Sequence, residues 1–161
     1  YIEAESQPGR GSSIRIYLPR TKAPAVVTCE DREREPCRGS ETVLLVEDEQ
    51  AILKLGEAIL KRYGYRVLST ASPRDAIALA EGHQGPVHLL ITDVVMPEMN
   101  GKDLRDKIAC LRPGIKTLFI SGYTVDVIAR HGLLDEDVRY LQKPFSVKAL
   151  ASKVREVLSE N

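Results

Sequence analysis

The chain has 161 residues, 43% of them apolar and 29% charged, with 23 basic side chains balanced by 23 acidic ones. This is the composition of an ordinary soluble globular protein, with room for one domain and an appendage. The neutral balance supplies no field for nucleic acid or a membrane surface, no apolar stretch approaches the roughly 20 residues that span a bilayer, and no signal peptide is visible. Cys29, Cys37 and Cys110 lack metal-site spacing and read as reduced cytosolic thiols.

Residues 1–19 read as a strand over Tyr1–Ala4, a turn at Pro8–Gly11 and a strand over Ser13–Leu18 with Ile14, Ile16 and Leu18 alternating. Residues 20–40, with Pro24, Pro36 and the charge cluster Glu30–Glu35, read as a solvated linker. From Glu41 onward apolar runs alternate with amphipathic segments. Thr42–Val46 is a strand ending at Glu47 and Asp48. A helix over Gln50–Arg62 carries an apolar stripe of Ile52, Leu55 and Ile59, and Gly64 stops it. Tyr65–Leu68 is the next strand. Ser72 and Pro73 give an N-cap and a proline at the first helical position, with Asp75 in the first turn. Val87–Thr92 leads to Asp93, and Leu104, Ile108 and Leu111 mark a helix closed by Pro113. Lys116–Ile120 is a strand ending at Ser121, followed by a short helix over Val125–Arg130 and a strand over Val138–Leu141. The last helix begins near Ser146 and buries Val147, Leu150, Val154 and Val157. Strict alternation of this kind predicts an α/β fold with a five-stranded, doubly wound parallel sheet.

Buried parallel strands read as apolar runs, and open α/β folds build their sites at the carboxyl ends of those strands. Here the runs end at Glu47-Asp48, Asp93, Ser121 and Lys143. Three carboxylates meeting at one sheet edge repel one another and raise each other's pKa. A divalent cation relieves this, and an all-oxygen ligand set suits Mg²⁺. Any one of these acids alone fits an ordinary helix cap or first-turn residue equally well. The Lys143 ammonium and Ser121 hydroxyl tip the reading toward phosphate, whose oxygens both complement. Lys143-Pro144 is a candidate cis peptide.

These residues carry a resemblance. The segment from about 41 to 158 resembles the receiver domain of two-component response regulators in its Val-Glu-Asp-Glu acidic pair, Asp-Val-Val-Met-Pro-Glu-Met-Asn-Gly stretch, Ile-Ser-Gly-Tyr and Gln-Lys-Pro-Phe. The resemblance implies a flavodoxin-like sheet of strand order 2-1-3-4-5 over residues 41–161, with Asp93 as phosphoacceptor. It implies Mg²⁺ (or Mn²⁺) held by Asp48 and Asp93, by Glu47 mainly through water, and by the Val95 carbonyl. Ser121 and Lys143 would bind phosphoryl oxygens, assisted by backbone N–H groups near Val94 and Gly122. Ser121 and Tyr140 would be the switch residues. The stretch Ala129–Asp137 is longer than in many stand-alone receivers and is similar to that of receivers fused behind sensor kinases, while Ser121 replaces the more frequent Thr.

Residues 1–19 resemble the last glycine turn and final strand of a histidine-kinase ATPase domain, whose nucleotide-binding parts are otherwise missing here. His83, His88 and His131 all sit inside the receiver pattern, so none is the kinase's phosphorylated histidine. The expectation is the carboxyl-terminal piece of a hybrid sensor kinase, with this piece in the cytoplasm and room for a membrane anchor elsewhere in the parent. It would not bind ATP, and its phosphoryl donor would be a cognate histidine kinase or histidine-phosphotransfer domain. Pairing of two copies would run through the parent kinase. Three other classes fit less well. A haloacid-dehalogenase-type phosphatase needs a second Asp where Val95 stands. A DNA-binding output module is not expected after the last helix. A pseudo-receiver acting only as a binding module would ordinarily lose an acid or the lysine, and all are present.

Overall fold

The structure is a computed structural model that describes residues 1–19, 38–122 and 139–160. By contacts the chain forms two units, Tyr1–Glu33 and Arg34–Asn161. The linker residues 20–37, the short helix expected over 125–130 and the long stretch 129–137 lie outside the described residues.

The first unit contains an antiparallel hairpin of β1 (Ile2–Gln7) and β2 (Gly11–Ile16), paired from Ile2↔Ile16 to Gln7↔Gly11. Both strands run closer to the turn than the apolar pattern alone indicates. Gly9 and Gly11 adopt positive φ, which lets the chain reverse in a short loop. Side-chain alternation divides the hairpin. Ile2, Ala4, Ile14 and Ile16 share one face, while Glu3 and Glu5 face Arg15 on the other, with Tyr17 donating to Glu3.

The second unit is a five-stranded parallel sheet. Its strands are β3 (Thr42–Val46), β4 (Arg66–Thr70), β5 (Leu89–Asp93), β6 (Lys116–Ser121) and β7 (Arg139–Gln142), in spatial order β4-β3-β5-β6-β7. This is the expected 2-1-3-4-5 order. The described helices are α1 (Gln50–Arg62), α2 (Pro73–Gly82), α3 (Gly101–Leu111) and α4 (Val147–Ser159). Alternate residues of each strand feed opposite layers. Val43, Leu45, Leu89, Ile91, Leu118 and Ile120 pack with α1 and α4, while Leu44, Val46 and Leu90 pack with α2 and α3. A strand covered on both faces is mostly apolar, and β3, polar only at Thr42, is buried throughout. Ser72 caps α2 by accepting the Asp75 N–H, as its sequence indicates.

Three expectations about helix faces need correction. In α1 the buried side is Leu53, Gly56, Ile59 and Leu60, and Leu55 is 50% exposed. Gly56 brings the helix close to the sheet, since a Cβ there would lie 3.1 Å from Leu45 Cδ2. That contact rotates Ile52 and Leu55 toward the flank. Leu111 and Val147 are likewise exposed, one at the last residue of α3 and the other at the first residue of α4. Among the described residues no helix is long and apolar enough to cross a membrane.

Candidate functional site

Register alone brings the expected residues to one edge. Val46 pairs with Thr92, so Glu47 and Asp93 lie level at the carboxyl ends of adjacent strands. Asp93 pairs with Ile120 and Ser121 pairs with Gln142, which sets Ser121 and Lys143 one step further along their own strands. Four segments distant in sequence therefore meet at the sheet's carboxyl edge.

Lys143 is the hub. Its Nζ donates to Glu47 Oε2 and to Asp93 Oδ2, each at 2.6 Å. Glu47 is 2% exposed, and burial pushes its carboxyl above the ordinary value, with the Asp93 charge adding to the rise and Lys143 opposing it. Burial also works against the Lys143 charge, but its hydrogen bonds to Asp93 and Glu47 outweigh that and hold the ammonium above its ordinary value. Lys143 thus stays charged, as a buried cation with two anionic partners should. The Lys143-Pro144 peptide is cis, as the sequence suggested.

Glu47, Asp48 and Asp93 each offer a carboxylate oxygen within 4.8 Å of the others, with Glu47 buried, Asp93 half-buried and Asp48 exposed. Three carboxylates opposed by one ammonium leave a net negative pocket with an open side at Asp48. Such a set fits a hard divalent cation that keeps part of its water. Val95, 42% exposed, donates its N–H to Asp93 Oδ1 at 3.1 Å, which orients the carboxylate. The Val94 N–H is engaged by the Ile120 carbonyl at 3.1 Å and prolongs the β5–β6 ladder. The amide facing the Asp93 carboxylate is therefore that of Val95 rather than Val94.

Ser121 is fully buried, and its carbonyl accepts from the Lys143 N–H at 2.8 Å and the Tyr140 hydroxyl at 3.3 Å. Tyr140 packs against Val94 and Phe119, and burial together with the Asp93 charge raises its phenol pKa. Gly122 follows Ser121 at an exposed position, and no described residue lies within 4 Å of where its Cβ would stand.

Sequence reasoning missed Gly101. A Cβ there would stand 2.2 Å from the Asp93 carbonyl oxygen, and its N–H donates to the Val94 carbonyl at 3.0 Å. The start of α3 is pressed against the backbone of the acidic strand, and only glycine fits. A visible cue is that Asn100 is a good N-cap, accepting the Asp103 N–H at 2.8 Å, and the glycine follows it directly.

The response regulator receiver domain profile matches residues 43–155, and this chain belongs to that family. It is a receiver domain of two-component signalling, a class that works with histidine-kinase or phosphotransfer partners. The sensor kinase CckA of Brucella abortus is 38% identical over 168 residues, a match covering 99% of this chain but 18% of that protein. The response regulator receiver protein CpdR of the same organism is 30% identical over 72% of this chain and 95% of its own length. Among solved structures, the receiver domain of the hybrid histidine kinase CckA is 34% identical with a TM-score of 0.62, covering 73% of this chain and 99% of that one. A CheY-like receiver domain from Methanospirillum hungatei is 30% identical with a TM-score of 0.65, covering 74% of this chain and 94% of its own.

Proposed function

We propose that the domain accepts a phosphoryl group on Asp93 from a phosphohistidine. A bond forms between a carboxylate oxygen of Asp93 and phosphorus as the phosphorus–nitrogen bond to the imidazole breaks. The observation that carries this reading is Lys143 Nζ lying 2.6 Å from Asp93 Oδ2 inside a cluster with Glu47 and Asp48. Asp48, Asp93, Glu47 and the Val95 carbonyl would hold Mg²⁺ (or Mn²⁺), which when bound neutralises charge on the transferring group. Lys143 supplies a fixed ammonium for the phosphoryl oxygens, and the Ser121 hydroxyl and Gly122 N–H stand at the end of the neighbouring strand. Catalysis here is positioning and electrostatics, with little covalent chemistry left to the protein.

Beside Lys143 an apolar groove of about 390 Å³ is lined by Glu49, Ile52, Leu55, Pro144 and Phe145. Its place supports contact with the domain that carries the phosphohistidine. After transfer the phosphoryl group adds about 1.5–2 negative charges. Tyr140, already tied to the Ser121 carbonyl, is the residue through which Ser121 reports that charge to the surface of β7.

The parent protein we read as a hybrid sensor kinase, with this piece of it in the cytoplasm. Residues 1–19 would be the end of its ATPase domain, 20–40 a linker and 41–161 the receiver, and a homodimer would form through the kinase. Similarity to a sensor kinase across 99% of the chain, hairpin included, supports this. The test is intact-mass spectrometry after incubation with acetyl phosphate, with and without Mg²⁺. A Mg²⁺-dependent gain of one phosphoryl group, absent from Asp93→Asn, is expected. Equal labelling of the variant refutes the assignment, and no gain from either small donors or a phosphohistidine domain leaves a phosphorylation-independent binding module.

A further inference from the structure

We propose that residues 38–41 form an anchored joint that ties the incoming chain to the α1–α4 layer, at the sheet end opposite Asp93. The contacts are specific. The Gly39 N–H donates to the Tyr63 carbonyl at 3.0 Å, and the Arg66 N–H donates to the Glu41 carbonyl at 3.0 Å. Two glycines interlock. A Cβ on Gly39 would meet the Tyr65 ring at 2.0 Å, and a Cβ on Gly64, whose φ is +93°, would meet the Gly39 carbonyl oxygen at 2.6 Å. Tyr65 is 3% exposed, so its ring cannot swing clear. The Glu41 carboxylate then closes the joint. It accepts the Ser40 N–H at 2.7 Å and pairs with Arg155 of α4 at 2.8 Å.

Residues that merely trail from a strand do not need glycine on both sides of a backbone contact. Close approach of backbone to an aromatic ring and of backbone to backbone is a use for which glycine is suited. The partners are the C-cap of α1 (Tyr63), the α1–β4 turn (Gly64, Tyr65), the start of β4 (Arg66) and Arg155 of α4, and α1 and α4 cover the same face of the sheet. A torque or displacement arriving at Arg38 therefore acts on that layer, and α1 also supplies one wall of the groove beside Lys143. The joint needs no phosphorylation and is independent of the role given to Asp93.

The test is ¹⁵N relaxation and amide hydrogen exchange on the whole 161-residue chain. Gly39 should show an order parameter near the rigid-backbone value of about 0.85, and its amide should exchange at least about tenfold slower than an unprotected chain. Gly39→Val should drop residues 38–40 below about 0.6 while the Val43–Val46 amides stay protected. Arg155→Ala, which leaves the glycines intact, should raise Ser40 exchange by a smaller factor. Unprotected exchange at Gly39 in the wild type, or unchanged order parameters in Gly39→Val, overturns the proposal. If Gly39→Val unfolds, the Arg155→Ala exchange at Ser40 decides, and no change there counts against the joint.

Discussion

Replacing Lys143 by Met removes the ammonium from between two carboxylates and leaves a chain of similar volume. The ammonium contacts Glu47 and Asp93 at 2.6 Å each, so it competes with a divalent cation for the charge of these acids. A hydrogen bond between charged groups contributes about 1.5–3 kcal/mol net, and about 1.4 kcal/mol is tenfold in affinity. Lys143→Met should therefore bind Mg²⁺ about 10- to 100-fold more tightly than wild type. It should also be less stable without metal, because Glu47 stays buried at 2% exposure without its partner. Removing one member of a buried pair destabilises by about 3–5 kcal/mol. Protonation of Glu47, whose carboxyl burial already pushes up, reduces that loss. Titration calorimetry at fixed ionic strength measures the first effect, and thermal unfolding with and without Mg²⁺ the second. A variant whose Mg²⁺ affinity is equal to or below wild type refutes the idea that Lys143 competes with the cation for Glu47.

Other expectations follow from single contacts. Gly101→Ala forces a methyl into the 2.2 Å space beside the Asp93 carbonyl and should lower the urea midpoint by an amount equivalent to about 1–3 kcal/mol; an unchanged midpoint would show that α3 can slide away at no penalty. Arg112 donates to the carbonyls of Ala80, His83 and Gly85, so Arg112→Ala should destabilise by about 1.5–3 kcal/mol, with amide exchange rising first in the turn after α2. The Glu41 carboxyl is held below its ordinary value of 4.5, as burial, which alone would raise it, is outweighed by Arg155 and backbone hydrogen bonds. A carboxyl depressed by folding adds stability that is complete above 4.5 and lost as pH falls through the folded value. Glu41→Gln should thus be less stable than wild type at pH 7, with the gap closing in acid. A gap independent of pH would assign the effect to packing.

The alternation of apolar runs and amphipathic helices was enough to read the parallel sheet, because a strand buried on both faces has few polar positions to disguise it. The polar residue ending each run was equally legible. Parallel register then brings Glu47, Asp93, Ser121 and Lys143 to one edge with little freedom to do otherwise. What sequence did not reveal are relations between segments. Ile52 and Leu55 look as apolar as Leu53 and Leu60, and only the close approach at Gly56 decides which pair faces the sheet. Gly39 is silent in a linear pattern, and at Gly101 the N-cap before it marks only a helix start, since their need for a missing Cβ comes from the Tyr65 ring and the Asp93 carbonyl. The link from Lys143 to Glu47 spans 96 positions. Composition places both residues in the chain, but only the packed sheet makes one the counter-ion of the other.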